Sequence, residues 1–532
     1  MSQTDLDATP APSPEPEAIP APTADEHPKP SKWQKCWSVL HWRAHCLAPS
    51  LVPHPSGLED ADPRRDQDRN EASRIEEGAE LRSPIIWGVE LYGPAEIGSL
   101  YAGLKRLGWT RAAGWKPDHS ASEQVRSMRA HGEGAWLNIG VINQPGDKTS
   151  FALGKLNKAT LPEGVASLIV EVCQVTDSLT GVVIGFQLED KPSKRYETEI
   201  NRDRRTIRQR SRGSWTMEWI DPVNQKIQSV NDARKERRAM VASWFAHHFP
   251  GYFCNRKLSE RFPTMELIVA RDLSLPSAKN PSGRRHLEWP RILLSTSPYD
   301  AWDSPSRPGL QLGFEWNLDN HPGLHSTIVL DPSSFSDETI GSHRGTGLRA
   351  YSWYCNEEFG DFLTHCAVIE YLRTQADDLH HTRERLKLTR SKHRNIAKTL
   401  DEIGRFFDGN IGSPAVAREL VAYSEHDVWF SRSCGDLGTD PWHDGERRKL
   451  AVEMQSGVRQ RASRLMENEA SLRTHFEQLT SVLSVRESIR LQRWTLFLSL
   501  IAVIVALGSL WIAIGVPPKD PEKPSTPVSA RP

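Results

Sequence analysis

The stretch Trp494–Val516, WTLFLSLIAVIVALGSLWIAIGV, runs for 23 residues without a charge. At ~1.5 Å of rise per residue a helix of that length reaches ~34 Å, enough for the ~30 Å hydrocarbon core of a bilayer. A helix packed inside a water-exposed fold rarely runs so far without a polar face. Trp494 and Trp511 lie near the two ends, where amphipathic indoles favour the headgroup level, and Pro517 and Pro518 stop the helix. The expectation is a single transmembrane helix at 494–516 with a short polar tail at 517–532.

The first 30 residues hold eight prolines and six acids, with no basic segment leading into an apolar one, so no secretory signal is read there. Arg486, Arg490 and Arg493 precede the span and Lys519, Lys523 and Arg531 follow it, so flanking charge leaves orientation balanced. The missing signal and the short tail decide it. The bulk of the chain is expected in the cytosol and the C-terminus outside, a tail-anchored, single-pass protein of the cell membrane.

A chain of 532 residues has room for two to four domains. Its net charge of −1 carries no global bias toward nucleic acid or anionic lipid. Seven cysteines, spread widely and without a CxxC pair, do not make a disulfide framework and fit a reducing compartment.

Working back from the span, a long helix is expected from Glu446, with Leu450, Met454, Val458, Leu465, Leu472, Phe476, Leu479 and Leu483 on one face. Before it, Ile369, Leu372, Ala376, Leu379 and Leu386 keep helical spacing, and after a slip Ile396, Leu400, Ile403 and Phe407 resume it. Two such helices predict a helical hairpin or coiled-coil stalk over 361–493, with a bundle packed on the body as the plainer alternative.

Residues 83–360 read as an α+β body, an antiparallel or mixed sheet with helices. Strands are predicted at 84–92, 135–141, 166–175, 181–188, 265–269, 291–295, 310–316 and 325–330, and helices at 95–107, from Ser120 to about 130, and at 240–249. The short turn between 175 and 181 predicts a hairpin. Residues 1–82 are expected to be disordered and rich in Pro, Ala and acids, apart from a Trp-rich amphipathic helix at 32–47. There Trp33, Cys36, Trp37, Leu40, Ala44 and Leu47 form one stripe, with Lys32, Lys35 and Arg43 off it. Such a helix docks on a membrane surface, on a partner or on the protein's own body.

Residues 191–238 carry 14 Lys/Arg against seven Asp/Glu. The segment is either a surface for anionic lipid or a solvated region paired with acids elsewhere. Few aromatics interleave, so nucleic acid is not the expected partner.

Chemistry is thinly signalled. No GxxxxGK[ST], GxSxG, HExxH or CxxC pattern occurs. GSHRGTG (341–347) is Gly-rich enough to hold an anion on backbone amides, but no strand-to-helix setting is evident from sequence. Cys36, His41, His45 and Cys46 are of zinc-ligand type, yet Cys46 is turned ~100° from His45 on a helix. The adjacent pairs His247-His248 and His380-His381 diverge in the same way. Cys355, His365 and Cys366 read as buried core residues, and Glu189-Asp190 follow a strand as a candidate carboxylate pair. No cofactor and no metal is expected, and catalytic residues are not assigned.

The span adds a stripe of small residues, Ser499, Ala502, Ala506, Ser509 and Ala513, which favours close helix approach in lipid and a homo-oligomer. In architecture alone, a helical segment entering a membrane near the C-terminus resembles the CorA-type magnesium channels. Those have two spans with Gly-Met-Asn between them; this chain has one span and no such tripeptide, so the family is not assigned. Three function classes remain: a membrane-anchored cytosolic binding or scaffold protein, an oligomeric channel-like or membrane-perturbing effector, and a tethered hydrolase or nucleotide-handling enzyme. The first is the leading expectation.

Overall fold

Thirteen residues, Glu80–Tyr92, form the strand β1 on which the body is built. In the computed structural model its last ten residues are all buried, since it has a neighbouring strand on each edge and helices on both faces. A strand so placed reads as a nearly unbroken apolar run. The structure describes residues 37, 40–44, 47, 65–110, 120–132, 134–146, 157–210, 217–273, 288–294, 301–314, 325–335, 347–391, 404, 413–439 and 446–515.

Two compact units emerge, Met1–Asp68 with Arg204–Pro222, and Arg69–Asp203 with Val223–Pro532. The strands that follow β1 are β2 (Trp136–Asn143), β3 (Asn157–Lys158), β4 (Val165–Gln174) and β5 (Thr180–Leu188). Next come β6 (Ile207–Arg210) and β7 (Met217–Ile220), an antiparallel hairpin within the first unit. The second unit continues with β8 (Thr264–Arg271), β9 (Trp302–Ser304), β10 (Arg307–Phe314), β11 (His325–Leu330), β12 (Gly438–Thr439) and β13 (Arg448–Lys449).

In the second unit the strands make one 11-stranded sheet, ordered β13-β12-β9-β10-β11-β8-β1-β5-β4-β2-β3. Pairs are antiparallel except β8 with β11 and β2 with β3, so the sheet is mixed. The expected hairpin is β4–β5, in register from Gln174↔Thr180 to Ser167↔Gln187, with a bulge before Val165↔Leu188. The later strands join the same sheet, because β8 pairs with β1 on one edge and β11 on the other. Both ends of the sheet are two-residue strands, too short to offer a long open edge.

The labelled helices are α1 (Ile97–Leu107), α2 (Ala121–His131), α3 (Pro222–His248), α4 (Leu348–Ser391), α5 (Ser413–Tyr423), α6 (Asp427–Cys434) and α7 (Leu450–Gly515). Local chemistry sets several ends. Ser120 Oγ accepts the Glu123 N–H at 3.2 Å to open α2. Gly108, left-handed at φ 63°, closes α1 by donating its N–H to Leu104 and Lys105 carbonyls.

The sheet is covered on both faces. On one, Gly88 of β1 lets α3 approach, since a Cβ there would strike Val241 and lie 3.2 Å from Phe262. Trp244, Phe245 and Phe249 fill that layer, with Trp109 stacked on Trp244 at 6.3 Å between ring centres. On the other face lies α4, whose Asn356 Oδ1 accepts from Trp87 Nε1 at 2.8 Å.

Three expectations are corrected. The strand expected at 291–295 is, over its described residues 291–294, part of a helix, Glu288–Leu294, that buries Trp289, Ile292 and Leu293, a helical i, i+3, i+4 set. Within 1–82, Asp66–Ser73 is a helix and Leu81 of β1 is buried. Ser73 at the helix end is buried and accepts from Lys226 Nζ at 2.7 Å. Finally, the described parts of the two long helices pack on the body over much of their length rather than only on each other. Phe359, Phe362, Leu363, Cys366, Ala367 and Leu372 of α4 are all buried, far more than a two-position seam, and α7 packs on α4, α5 and α6 as far as Phe476.

Candidate functional site

Two environments divide the 66 residues of α7. Leu450, Met454, Val458, Ala462, Leu465, Leu472 and Phe476, with Glu469 completing the three- or four-residue spacing, face the body and are buried. Beyond Phe476 no described side chain is buried, and the helix continues unbroken into the apolar stretch. Ser488–Ile512, 25 residues at a mean hydropathy of 2.4, is long and apolar enough to cross a membrane and has none of its surface inside the protein. Leu496 is 71% exposed and Trp511 81%. At roughly 25 cal/mol per Å² of apolar surface, such a helix is strongly driven to find a non-aqueous partner.

Behind this helix the body holds carboxylates where strands read as apolar. The first is Glu266 of β8, fully buried. Arg234 Nε donates to its Oε1 at 2.7 Å and Tyr196 Oη to its Oε2 at 2.6 Å, while Arg237 Nη1 lies 3.3 Å from Oε2. Burial alone would raise this carboxyl; Arg234, His325 and Arg237 outweigh it and hold it well below the usual carboxylate range. His325 Nε2 is 3.2 Å from Oε1, but burial lowers the imidazole to about 4, so it is neutral at physiological pH. The Arg237 guanidinium lies 4.2 Å above the Tyr196 ring and donates to Ser83 Oγ at 2.8 Å and to the Pro192 carbonyl at 2.7 Å. This centre ties α3, β1, β8 and β11 together and is closed to solvent.

A second carboxylate, Glu171 of β4, is 7% exposed beneath Gly360 of α4. Burial raises it to about 8, helped by the charges of Asp361 and Glu357 and opposed by Asn356 and Arg432. Asp361 is itself raised to about 6 by burial, against Arg432. Asn138 Nδ2, on the exposed side of β2, lies 3.5 Å from Glu171 Oε1. A third, Glu90, is raised to about 7 by burial, against the Cys254 thiol and the backbone N–H groups of Phe253 and Cys254, to which it bonds at 2.8 and 3.0 Å.

The residues singled out in the sequence are scattered. Glu189 and Asp190 are exposed, and Asp190 pairs with Lys194 at 2.7 Å. His248 is buried against Trp244, its ring lowered to about 4 by burial, while His247 is exposed. His380 and His381 are exposed. Cys355, His365 and Cys366 are buried, and His365 is satisfied by Ser433 Oγ at 3.0 Å and Tyr423 Oη at 2.8 Å. Of the zinc-type set only His41 is described, and residues 341–346 also fall outside the described residues. Gly347 leads directly into α4. Among the described residues no group of three or more His, Cys, Asp or Glu is placed to hold a metal.

In the basic segment 191–238, Lys226, Arg234 and Arg237 are buried, and Arg195 and Lys235 pair with Glu236 and Glu260. Glu266, Glu171 and Glu90 were not singled out by sequence. Their common signal is an acid inside an apolar strand run, as in MELIV, LIVEV and GVELY. No protein family, curated protein or solved structure matches the chain.

Proposed function

We propose that this is a membrane-anchored binding or scaffold protein, held by a single span of the cell membrane with the body on the cytosolic side. One observation carries the reading: α7 passes without a break from a face packed on the body to an apolar length with no protein cover. The membrane is the partner whose chemistry suits that length. The reach from Glu477 to Arg493, ~25 Å of helix, then acts as a short stalk that sets the body off from the bilayer. The small-residue stripe Ser499, Ala502, Ala506, Ser509 and Ala513 supports association of copies through the span and stalk.

We read the body as a binding module, its strongly shifted carboxylates Glu266 and Glu90 being buried groups that hold elements of the fold together. The test compares the full chain with one ended after Arg490. The full chain is expected to stay with membranes through alkaline carbonate washing, and the shortened one to be released with its body folded. A full chain that washes off would overturn the anchor. Light scattering in detergent then assigns assembly: a shortened chain that is still oligomeric places it in the body or stalk, and a monomer places it in the span.

A further inference from the structure

Far from the span in sequence, the described residues 37, 40–44 and 47 are helical, and their large apolar side chains point outward. Trp37 is 67% exposed, Leu40 60% and Leu47 87%. At 100° per residue, Trp37, Leu40 and Leu47 fall within ~80° of arc, while Trp42, 53% exposed, lies on the opposite side of the helix. Arg43, exposed, lies outside that arc.

We propose that this helix is a second membrane contact, lying flat on the bilayer surface on the body's side of the span. The inference rests on the anchoring proposed above. Three features select lipid as the occupant. The three residues of that arc pair an indole with leucines, the composition that settles at the headgroup boundary, and Arg43 flanks them where anionic headgroups lie. The span of α7 keeps a bilayer permanently near the chain. The third is reach: 17 residues, 48 to 64, can extend to at most ~60 Å. Two attachments, one spanning and one lying on the surface, would limit how far the first unit strays from the membrane.

The experiment reconstitutes the full chain into vesicles of phosphatidylcholine and phosphatidylserine carrying a trace of diazirine-bearing phosphatidylcholine, and maps photolabelled peptides by mass spectrometry. Label is expected both in the peptide of 494–515 and in that of 37–47. The variant Leu40→Glu/Leu47→Glu, altered only at exposed positions, should lose its 37–47 label several-fold and keep the 494–515 label. Label confined to 494–515 overturns the second contact and leaves the anchor standing. Label at 37–47 that ignores the two glutamates also overturns it, since the apolar stripe is then not the contact. Label in neither peptide overturns the anchor as well.

Discussion

Glutamine in place of Glu171 should stabilise the body at neutral pH and flatten its response to alkali. The Glu171 carboxyl is raised from 4.5 to about 8 by burial and by the neighbouring charges of Asp361 and Glu357. The unfolded chain ionises near 4.5, so between these values the folded state holds the extra proton and stability falls as pH rises. At pH 7 the gap to the unfolded value is about 2.5 units, which at about 1.36 kcal/mol each favours unfolding by about 3 kcal/mol. Above pH 8 the loss levels off near ~5 kcal/mol. A glutamine has the same size, is neutral throughout and escapes this loss. Glu171→Gln should therefore gain about 3 kcal/mol at pH 7 and almost nothing at pH 4. Urea unfolding of the full chain in detergent micelles, followed by tryptophan fluorescence across that range, measures the difference. Parallel pH profiles for variant and parent would refute the reasoning, because the carboxyl would then ionise alike in both states. Asp361→Asn should narrow the same window from above, since it removes one of the charges that raise Glu171.

Other substitutions test separate joints. Glu266→Gln leaves Arg234 and Arg237 buried without their counter-charge and should cost about 3–5 kcal/mol, read as a lower urea midpoint at unchanged slope. Since this carboxyl is held below its ordinary 4.5, its contribution is present above that pH and fades as the solution becomes more acid. Glu419→Ala removes three contacts that pin α5 to the β4–β5 turn, at 2.7 Å to Thr176 Oγ1, 2.9 Å to Ser178 N and 2.7 Å to Ser178 Oγ. It should cost about 2 kcal/mol, with the exchange of the turn's amides speeding first. Gly103→Ala puts a Cβ 2.5 Å from the His248 carbonyl and 2.7 Å from Phe249 Cβ, and overpacking of that kind should lower stability by about 1–3 kcal/mol in the same unfolding assay.

Much of the sheet was legible because its strands announce themselves by content and by punctuation. GVELY ends at Gly93-Pro94, and the β4–β5 turn falls between two apolar runs, so boundaries were read within a few residues. RILLS misled because Trp289, which completes the helical set, precedes it, and three apolar residues alone suit either period. The long helices were seen, but not where they pack. Periodicity marks a buried face without saying whether a second helix or a sheet covers it, and Asn356 reaching Trp87 across 269 positions of sequence has no local trace. The buried centres were missed for a related reason. Arg234 and Arg237 sit in a run of charge that reads as solvated, and only the fold brings them to Glu266. The apolar length of α7 needed no fold at all, since composition and length decide it.

Because one unbroken helix joins the packed part of α7 to its bare part, the uncovered residues 477–493 fix an angle as well as a distance. Adding a single residue there would raise the body by ~1.5 Å but swing it ~100° about the helix axis. Four residues would leave it ~40° from its starting azimuth, and seven only ~20°. A partner that meets the body while confined to the same membrane plane would thus tolerate changes of seven or eleven residues far better than changes of one or two. Length variation in this short stretch is quantised by helical phase.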